Sequence, residues 1–234
     1  MRPRIHIAGQ WRPLQKDKLT SLKESCTDLW EREALQVLTD WWSEGTEMTS
    51  LTSGSTGAPK PIVHAKKAMV ESAERTIRFF NLHPGTQAVL VLPARFIGGK
   101  MMLIRALVGG WDIKVERPGA LPEGAAPCDF IAMTPAQAAA LIEHRPSAWA
   151  QLGTVLLGGS PVDDSLIQRM PVGPMVFESF GMTETISHFA LRQLVPTYEA
   201  AFQCLEGFEV AQTEDSVLEI VFPDGKHLKT NDAV

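Results

Sequence analysis

Ala88-Val89-Leu90-Val91-Leu92 is an uninterrupted apolar run of strand length, and it reads as a buried strand. Downstream, Met101-Met102-Leu103-Ile104-Arg105-Ala106-Leu107 reads as a helix. Asp112-Ile113-Lys114-Val115-Glu116 follows as a half-exposed strand, and Asp129-Phe130-Ile131-Ala132-Met133 as a further one. Pro135 opens an alanine-rich helix ending near His144, since its fixed φ suits the first helical position. Thr154-Val155-Leu156-Leu157, a helix around Leu166-Ile167, and Met175-Val176-Phe177 continue the pattern. Strands alternating with helices predict α/β layers around a largely parallel sheet.

Upstream, Ile5-His6-Ile7 alternates like a short strand before the turn at Gly9-Gln10-Trp11. Leu29, Trp30, Ala34, Leu35, Val37, Leu38, Trp41 and Trp42 recur at helical spacing, with Gly45 as the stop signal. These aromatics read as a packed face. Lys67 to Phe80 reads as another amphipathic helix. After Glu184 the character changes to His188-Phe189-Ala190-Leu191-Arg192, Phe208-Glu209-Val210 and Val217-Leu218-Glu219-Ile220-Val221-Phe222, with turns such as Pro223-Asp224-Gly225. The expectation is an α/β core over residues 1–187 and a small antiparallel β subdomain over 188–234.

At 234 residues and 44% hydrophobic content, the chain can bury a sizeable core. A net charge of -5 without a basic run gives no electrostatic footprint for nucleic acid. Cys26, Cys128 and Cys204 are isolated, which suits reduced thiols and a cytoplasmic location better than disulfides or a zinc site. No apolar segment approaches the ~20 residues of a membrane span. The histidines (His6, His64, His83, His144, His188, His227) lack HxxxH or HxH spacing, which argues against a metal hydrolase. Whether identical chains associate is left open.

The chemistry-bearing stretch is Leu51-Thr52-Ser53-Gly54-Ser55-Thr56-Gly57-Ala58-Pro59-Lys60. Glycines let backbone N–H groups turn inward, hydroxyls donate to phosphate oxygens, and Lys60 adds a mobile positive charge. Ala58 and Pro59 separate the second glycine from the lysine, so this is not the Walker A spacing. Far downstream stands Glu178-Ser179-Phe180-Gly181-Met182-Thr183-Glu184-Thr185, and near the end Lys229-Thr230-Asn231-Asp232.

Together these segments resemble the adenylate-forming superfamily of acyl-CoA synthetases, luciferases and peptide-synthetase adenylation domains. The resemblance implies that Thr52, Ser53, Gly54, Ser55, Thr56, Gly57 and Lys60 hold the ATP β- and γ-phosphates. It places Phe180, where the family usually has tyrosine, on the adenine beside Ser179 and Gly181. Thr183 falls at the α-phosphate, Glu184 at Mg²⁺ and Asp232 at the ribose hydroxyls. Asn231 replaces the glycine of the family's Thr-Gly-Asp but leaves the carboxylate in place. Thr183, Glu184 and Lys60 are the implied catalytic residues.

Phe96-Ile97-Gly98-Gly99-Lys100-Met101-Met102, Leu157-Gly158-Gly159-Ser160-Pro161 and Gly181-Met182-Thr183-Glu184-Thr185-Ile186-Ser187-His188 narrow the resemblance. They look like the short bacterial O-succinylbenzoate–CoA ligases of menaquinone synthesis, from about Met48 to Val234. Gly159, Ser160 and Pro161 carry over as pocket walls. The implied reaction is ATP-dependent adenylation of a small carboxylic acid, then thioester formation with CoA. An aromatic dicarboxylate needs a cation for its non-reacting carboxylate, and Arg95, Lys100, His188 and Arg192 are candidates by charge; His64 is ambiguous. The region before the phosphate loop is brief, and the family's mobile C-terminal domain, expected after Asp232, does not precede Val234. The resemblance therefore covers the N-terminal portion and implies weak adenylation and very poor thioester formation. Two other readings stand beside it: an adenylating ligase for another aryl or fatty acid, and a module that holds ATP or AMP without turnover.

Overall fold

A computed structural model of the chain describes residues 3–52, 59–213 and 215–233, with backbone alone at Ser25 and 231–233. It opens with a hairpin, β1 (Arg4–Ile7) and β2 (Gln10–Pro13), followed by helices α1 (Leu19–Ser25) and α2 (Leu29–Trp41). A second hairpin, β3 (Glu47–Leu51) and β4 (Pro61–Ala65), runs straight into α3 (Lys66–Phe79). Next come β5 (Gln87–Leu90), α4 (Ile97–Gly109), β6 (Asp112–Val115), β7 (Cys128–Met133) and α5 (Pro135–His144). The short α6 (Pro146–Trp149), β8 (Leu152–Leu157) and α7 (Asp164–Arg169) complete the alternation. Strands then dominate: β9 (Met175–Met182), β10 (Ser187–Val195), β11 (Gln203–Cys204), β12 (Glu209–Gln212), β13 (Val217–Val221) and β14 (His227–Ala233).

Nine strands form one sheet in the order β11-β10-β9-β8-β7-β5-β6-β1-β2. Its middle, from β9 to β1, is parallel, and antiparallel β10 and β2 flank it. Alternation along β7 shows why both faces are covered: Phe130 and Ala132 join one core, Ile131 and Met133 the other. Helix α4 lies in the first layer through Met101, Met102, Leu103 and Ile104, and α5 in the second through Ala138 and Leu141. Thr134 caps α5: its hydroxyl accepts the Gln137 N–H while the Gln137 side chain accepts the Thr134 N–H. No helix among the described residues is long and apolar enough to cross a membrane.

Three expectations change. Strand β6 is buried rather than half-exposed, because it lies between β5 and β1 and its Asp112 is consumed by Arg4. Helix α2 ends before Gly45, and Leu29, counted on its packed face, is 78% exposed; Ala34, Leu35, Val37 and Leu38 are buried. Strand β10, placed by sequence in the small β unit, pairs with β9 inside the large sheet. Beyond β11, the strands form a separate sheet, β12-β13-β14, and β3-β4 is a two-stranded sheet of its own.

Candidate active site

The β9–β10 turn is the best-defined part of the site. A Cβ at Gly181 would lie 2.3 Å from the Ser187 carbonyl oxygen and 2.4 Å from His188 Cα, so only glycine lets the two strands approach here. The turn is knitted by Thr185, whose Oγ1 accepts the Met182 N–H at 3.0 Å and donates to the Ser187 carbonyl at 2.6 Å. Ile186 and Ser187 both take positive φ, 55° and 80°. Ser72 of α3 fixes this strained pair by donating to the Ile186 carbonyl at 2.9 Å. Glu184 is thereby held out on the turn, exposed and without a hydrogen bond or ion pair among the described residues.

Alongside lies the turn after β8. Ser179 Oγ donates to the Leu157 carbonyl at 2.8 Å, and a Cβ on Gly158 would strike that hydroxyl at 2.5 Å. Gly159 has φ 87°, and Ser160 and Pro161 follow it exposed. Glu178 ties this turn down by accepting the Val162 N–H at 2.9 Å. Phe180 is half-buried, its ring 5.1 Å from that of Phe189 and 5.6 Å from that of Phe202.

The third part is the β3–β4 hairpin. At its mouth the Thr52 N–H donates to the Lys60 carbonyl and the Lys60 N–H to Thr52 Oγ1, each at 3.0 Å. Leu51 bridges to Phe96, just after β5. Ser53, Gly54, Ser55, Thr56 and Gly57 lie outside the described residues, as does the side chain of Asp232. The hairpin mouth, the Gly159–Pro161 turn and the Thr183–Glu184 turn thus meet the carboxyl ends of parallel β5, β8 and β9. That edge is where open α/β sheets bind ligands.

The four candidate substrate cations are already engaged. Arg95 is exposed and bonds Glu33 at 2.8 Å. The buried Lys100 ammonium donates to the Thr49 carbonyl; burial lowers its pKa, against the pull of Asp40 and Glu33. Arg192 pairs with Glu178 at 2.7 Å. His188 is buried between Thr76 Oγ1 at 3.2 Å and Arg105 at 3.4 Å, and burial, then Arg105 and Arg75, hold its pKa well below the usual value. His188 is therefore neutral.

Sequence reading missed Arg105. Arg105 is 1% exposed, and its guanidinium touches Thr76 Oγ1 at 3.2 Å, Ser187 Oγ at 3.1 Å and His188 Nδ1 at 3.4 Å, with no carboxylate partner among the described residues. Burial pulls its pKa down to about 9, still a cation at neutral pH. One charge inside the apolar run Met101–Leu107 was the available signal.

Residues 27–219 match the family of AMP-binding enzymes. The chain belongs to that family. Among curated relatives, the 2-succinylbenzoate–CoA ligase of Salmonella typhimurium is 30% identical over 63% of this chain and 32% of its own length. The Escherichia coli enzyme of the same name is 32% identical over 59% of this chain and 30% of its own. The aligned part therefore spans about a third of these relatives. An acyl-CoA synthetase (AMP-forming)/AMP-acid ligase II-like protein from Dyadobacter fermentans superposes with TM-score 0.83 at 33% identity, covering 94% of this chain and 65% of that one. O-succinylbenzoate coenzyme A synthetase from Bacillus subtilis, in complex with ATP and magnesium ion, gives TM-score 0.65 at 19% identity over 79% of this chain and 42% of that one. The latter is a likeness of fold.

The sequence resemblance implies a magnesium-bound nucleotide, and the donor set is compatible with one. Among the described residues no three acidic, histidine or cysteine side chains gather around a common point. Magnesium does not need such a cage, since it keeps waters and binds through one or two carboxylates plus phosphates. Glu184 offers one carboxylate with no hydrogen bond or ion pair among the described residues. A concavity of about 520 Å³, lined in part by Lys16, Lys23, Trp42 and Glu44, shares no residue with this edge.

Proposed function

We propose that the chain is the nucleotide- and acid-binding core of an ATP-dependent acid–CoA ligase. The convergence of the phosphate hairpin, the Gly159–Pro161 turn and the free Glu184 carboxylate on one sheet edge carries this reading. An oxygen of the acid attacks the ATP α-phosphorus, pyrophosphate leaves, and the acyl-adenylate then yields its acyl group to the CoA thiol as AMP departs. Magnesium, when bound, offsets phosphate charge. The protein's contribution is positioning and electrostatics: Lys60 and the hairpin backbone retain pyrophosphate, Thr183 orients the α-phosphate, and Glu184 places the metal.

The substrate proposed is an aromatic dicarboxylate of the o-succinylbenzoate type. Arg105 supports it: a buried guanidinium lacking an anion is costly, and a carboxylate offers it bidentate bonds. Its partner Ser187 is half-buried, so the acid's second carboxylate reaches the guanidinium from that side. Relatives named 2-succinylbenzoate–CoA ligase point the same way.

ATP–pyrophosphate exchange tests both parts. Exchange is expected with o-succinylbenzoate and is lost in Lys60→Ala and Glu184→Ala. Arg105→Met is expected to raise the KM for the diacid by at least about tenfold, the worth of one charge-assisted bond. Equal exchange with monocarboxylic aryl or fatty acids refutes the dicarboxylate. Unimpaired exchange in both Lys60→Ala and Glu184→Ala refutes the site.

A further inference from the structure

Two polar side-chain atoms on the phosphate hairpin are buried with no hydrogen-bond partner among the described residues: Ser50 Oγ and His64 Nε2. Ser50 is fully buried and His64 is 5% exposed. The register pairs Met48 with His64 and Ser50 with Ile62, and burial alternates along both strands. Both orphan groups therefore occupy the hairpin's inner face. They flank Thr49, whose carbonyl takes the Lys100 ammonium. Buried polar atoms are nearly always bonded, so two exceptions side by side mark a missing partner rather than a local misfit.

The missing partner can be identified by charge. Burial and the Lys100 cation both disfavour a charged imidazole, and the one group acting the other way on it is the Glu184 carboxylate. A neutral imidazole still has one N–H to give. The chain leads from His64 directly into α3, and α3 grips the Glu184 turn through Ser72 and the Ile186 carbonyl. The hairpin and the turn are thus both mounted on one helix, with a donor on the first and, among the described residues, an unbonded carboxylate on the second whose charge acts on His64.

We propose that His64 is a positioning residue for Glu184: when the metal–nucleotide occupies the edge, the His64 Nε2–H donates to the Glu184 carboxylate and fixes which oxygen faces the metal. This rests on the ligase reading of the site. It gives the buried nitrogen the partner it lacks in the free chain and links the phosphate hairpin to the metal-side turn.

The test is titration calorimetry of the full chain with ATP, in magnesium and in EDTA, alongside thermal melting. His64→Leu is expected to weaken magnesium–ATP binding about tenfold, the size of one hydrogen bond to a charged group. Metal-free ATP binding should stay within about twofold, because that binding does not use Glu184. The ligand-free His64→Leu chain should melt about 2–4 °C higher, since an unsatisfied buried nitrogen is gone. His64→Gln keeps an N–H donor and should restore magnesium–ATP binding to within about threefold. In a Glu184→Ala background, His64→Leu should add no further loss. Equal weakening with and without magnesium, failure of His64→Gln to restore, or additive losses would overturn the proposal. Magnesium-dependent binding by the native chain with a silent His64→Leu refutes His64 alone; no ATP binding by the native chain refutes the ligase reading with it.

Discussion

Glu178→Gln isolates the interaction that secures the seam of the candidate site. Glu178 Oε1 accepts the Val162 N–H at 2.9 Å, while Oε2 accepts from Arg192 Nε and Nη2, each at 2.7 Å. The pair lies across the β9–β10 register, with side chains 5% and 16% exposed. Glutamine keeps the volume and the oxygen facing Val162 but removes the charge opposite the guanidinium. Breaking one half of a buried pair costs about 3–5 kcal/mol. Arg192 retains the Phe202 ring at 5.0 Å, the Tyr198 ring at 5.9 Å and the Ala200 carbonyl at 3.3 Å, which favours the low end of that range. Taking about 3 kcal/mol, and about 2–4 °C per kcal/mol for a chain of this size, the melting temperature should fall by about 6–12 °C. Calorimetric melts and urea titrations measure it, the latter with an unchanged m-value. Glu178→Gln with Arg192→Met removes the stranded cation and should return to within about 2 kcal/mol of the native chain. A fall below about 2 °C in the single variant, or a double variant worse than the single, would refute the claim that the pair is desolvated.

Gly181→Ala drives a Cβ against backbone atoms that have no rotamer to escape into, so it should cost about 3 kcal/mol in the urea midpoint. Asp112 has its pKa lowered chiefly by the Arg4 hydrogen bond, with burial opposing and Gln87 assisting. A carboxyl with a depressed folded pKa binds its proton more readily when unfolded. The stability it contributes is therefore present above the ordinary value near 4 and lost as pH falls through the folded one. Melting between about pH 5 and 2.5 should show that loss, and Asp112→Asn should flatten it. Of the three cysteines, Cys26 and Cys128 are buried, and burial pushes the Cys128 thiol up to about 12, whereas Cys204 is exposed. Ellman's reagent at about pH 8 should titrate Cys204 rapidly and all three thiols after denaturation.

The parallel middle of the sheet was legible because β5, β7 and β8 are buried on both faces and so read as apolar runs. The Pro135 helix was legible for a different reason: Thr134, Pro135 and Gln137 make its start a local affair. Strand β6 misled because its polar residues are taken up in ion pairs, Asp112 with the half-exposed Arg4 and Lys114 with Glu116, and alternation alone cannot tell an ion pair from a wet face. Strand β10 misled for a topological reason. An antiparallel strand added to the edge of a parallel sheet has the same local pattern as one in a separate β unit. Within the candidate site, the residue types on the β9–β10 turn and the glycines around it could be read directly. The availability of a cation could not. Arg192 is neutralised by a residue on the neighbouring strand and the Lys100 ammonium is bonded by a backbone carbonyl, whereas Arg105, hidden in an apolar helix, bonds only neutral side chains among the described residues.

That contrast bears on why the Glu184 turn has its shape. Ile186 is β-branched, and positive φ is a genuine outlier for such a residue. A sequence free to relax would place glycine there. The strain persists because three neighbours hold the turn: Ser72 on the Ile186 carbonyl, Thr185 on the Ser187 carbonyl and Arg105 on the Ser187 hydroxyl. Two of these come from helices α3 and α4, which are packed in the core, so the turn is positioned by the body of the fold rather than by its own propensity. A carboxylate arriving at Arg105 would compete for the guanidinium that restrains Ser187, three residues after the carboxylate-bearing Glu184 and two after its Thr185 clamp. In the proposed site, occupancy of the acid subsite would therefore be linked to the placement of Glu184 through one hydrogen bond, with the strain at Ile186 and Ser187 as the reservoir such a link would draw upon.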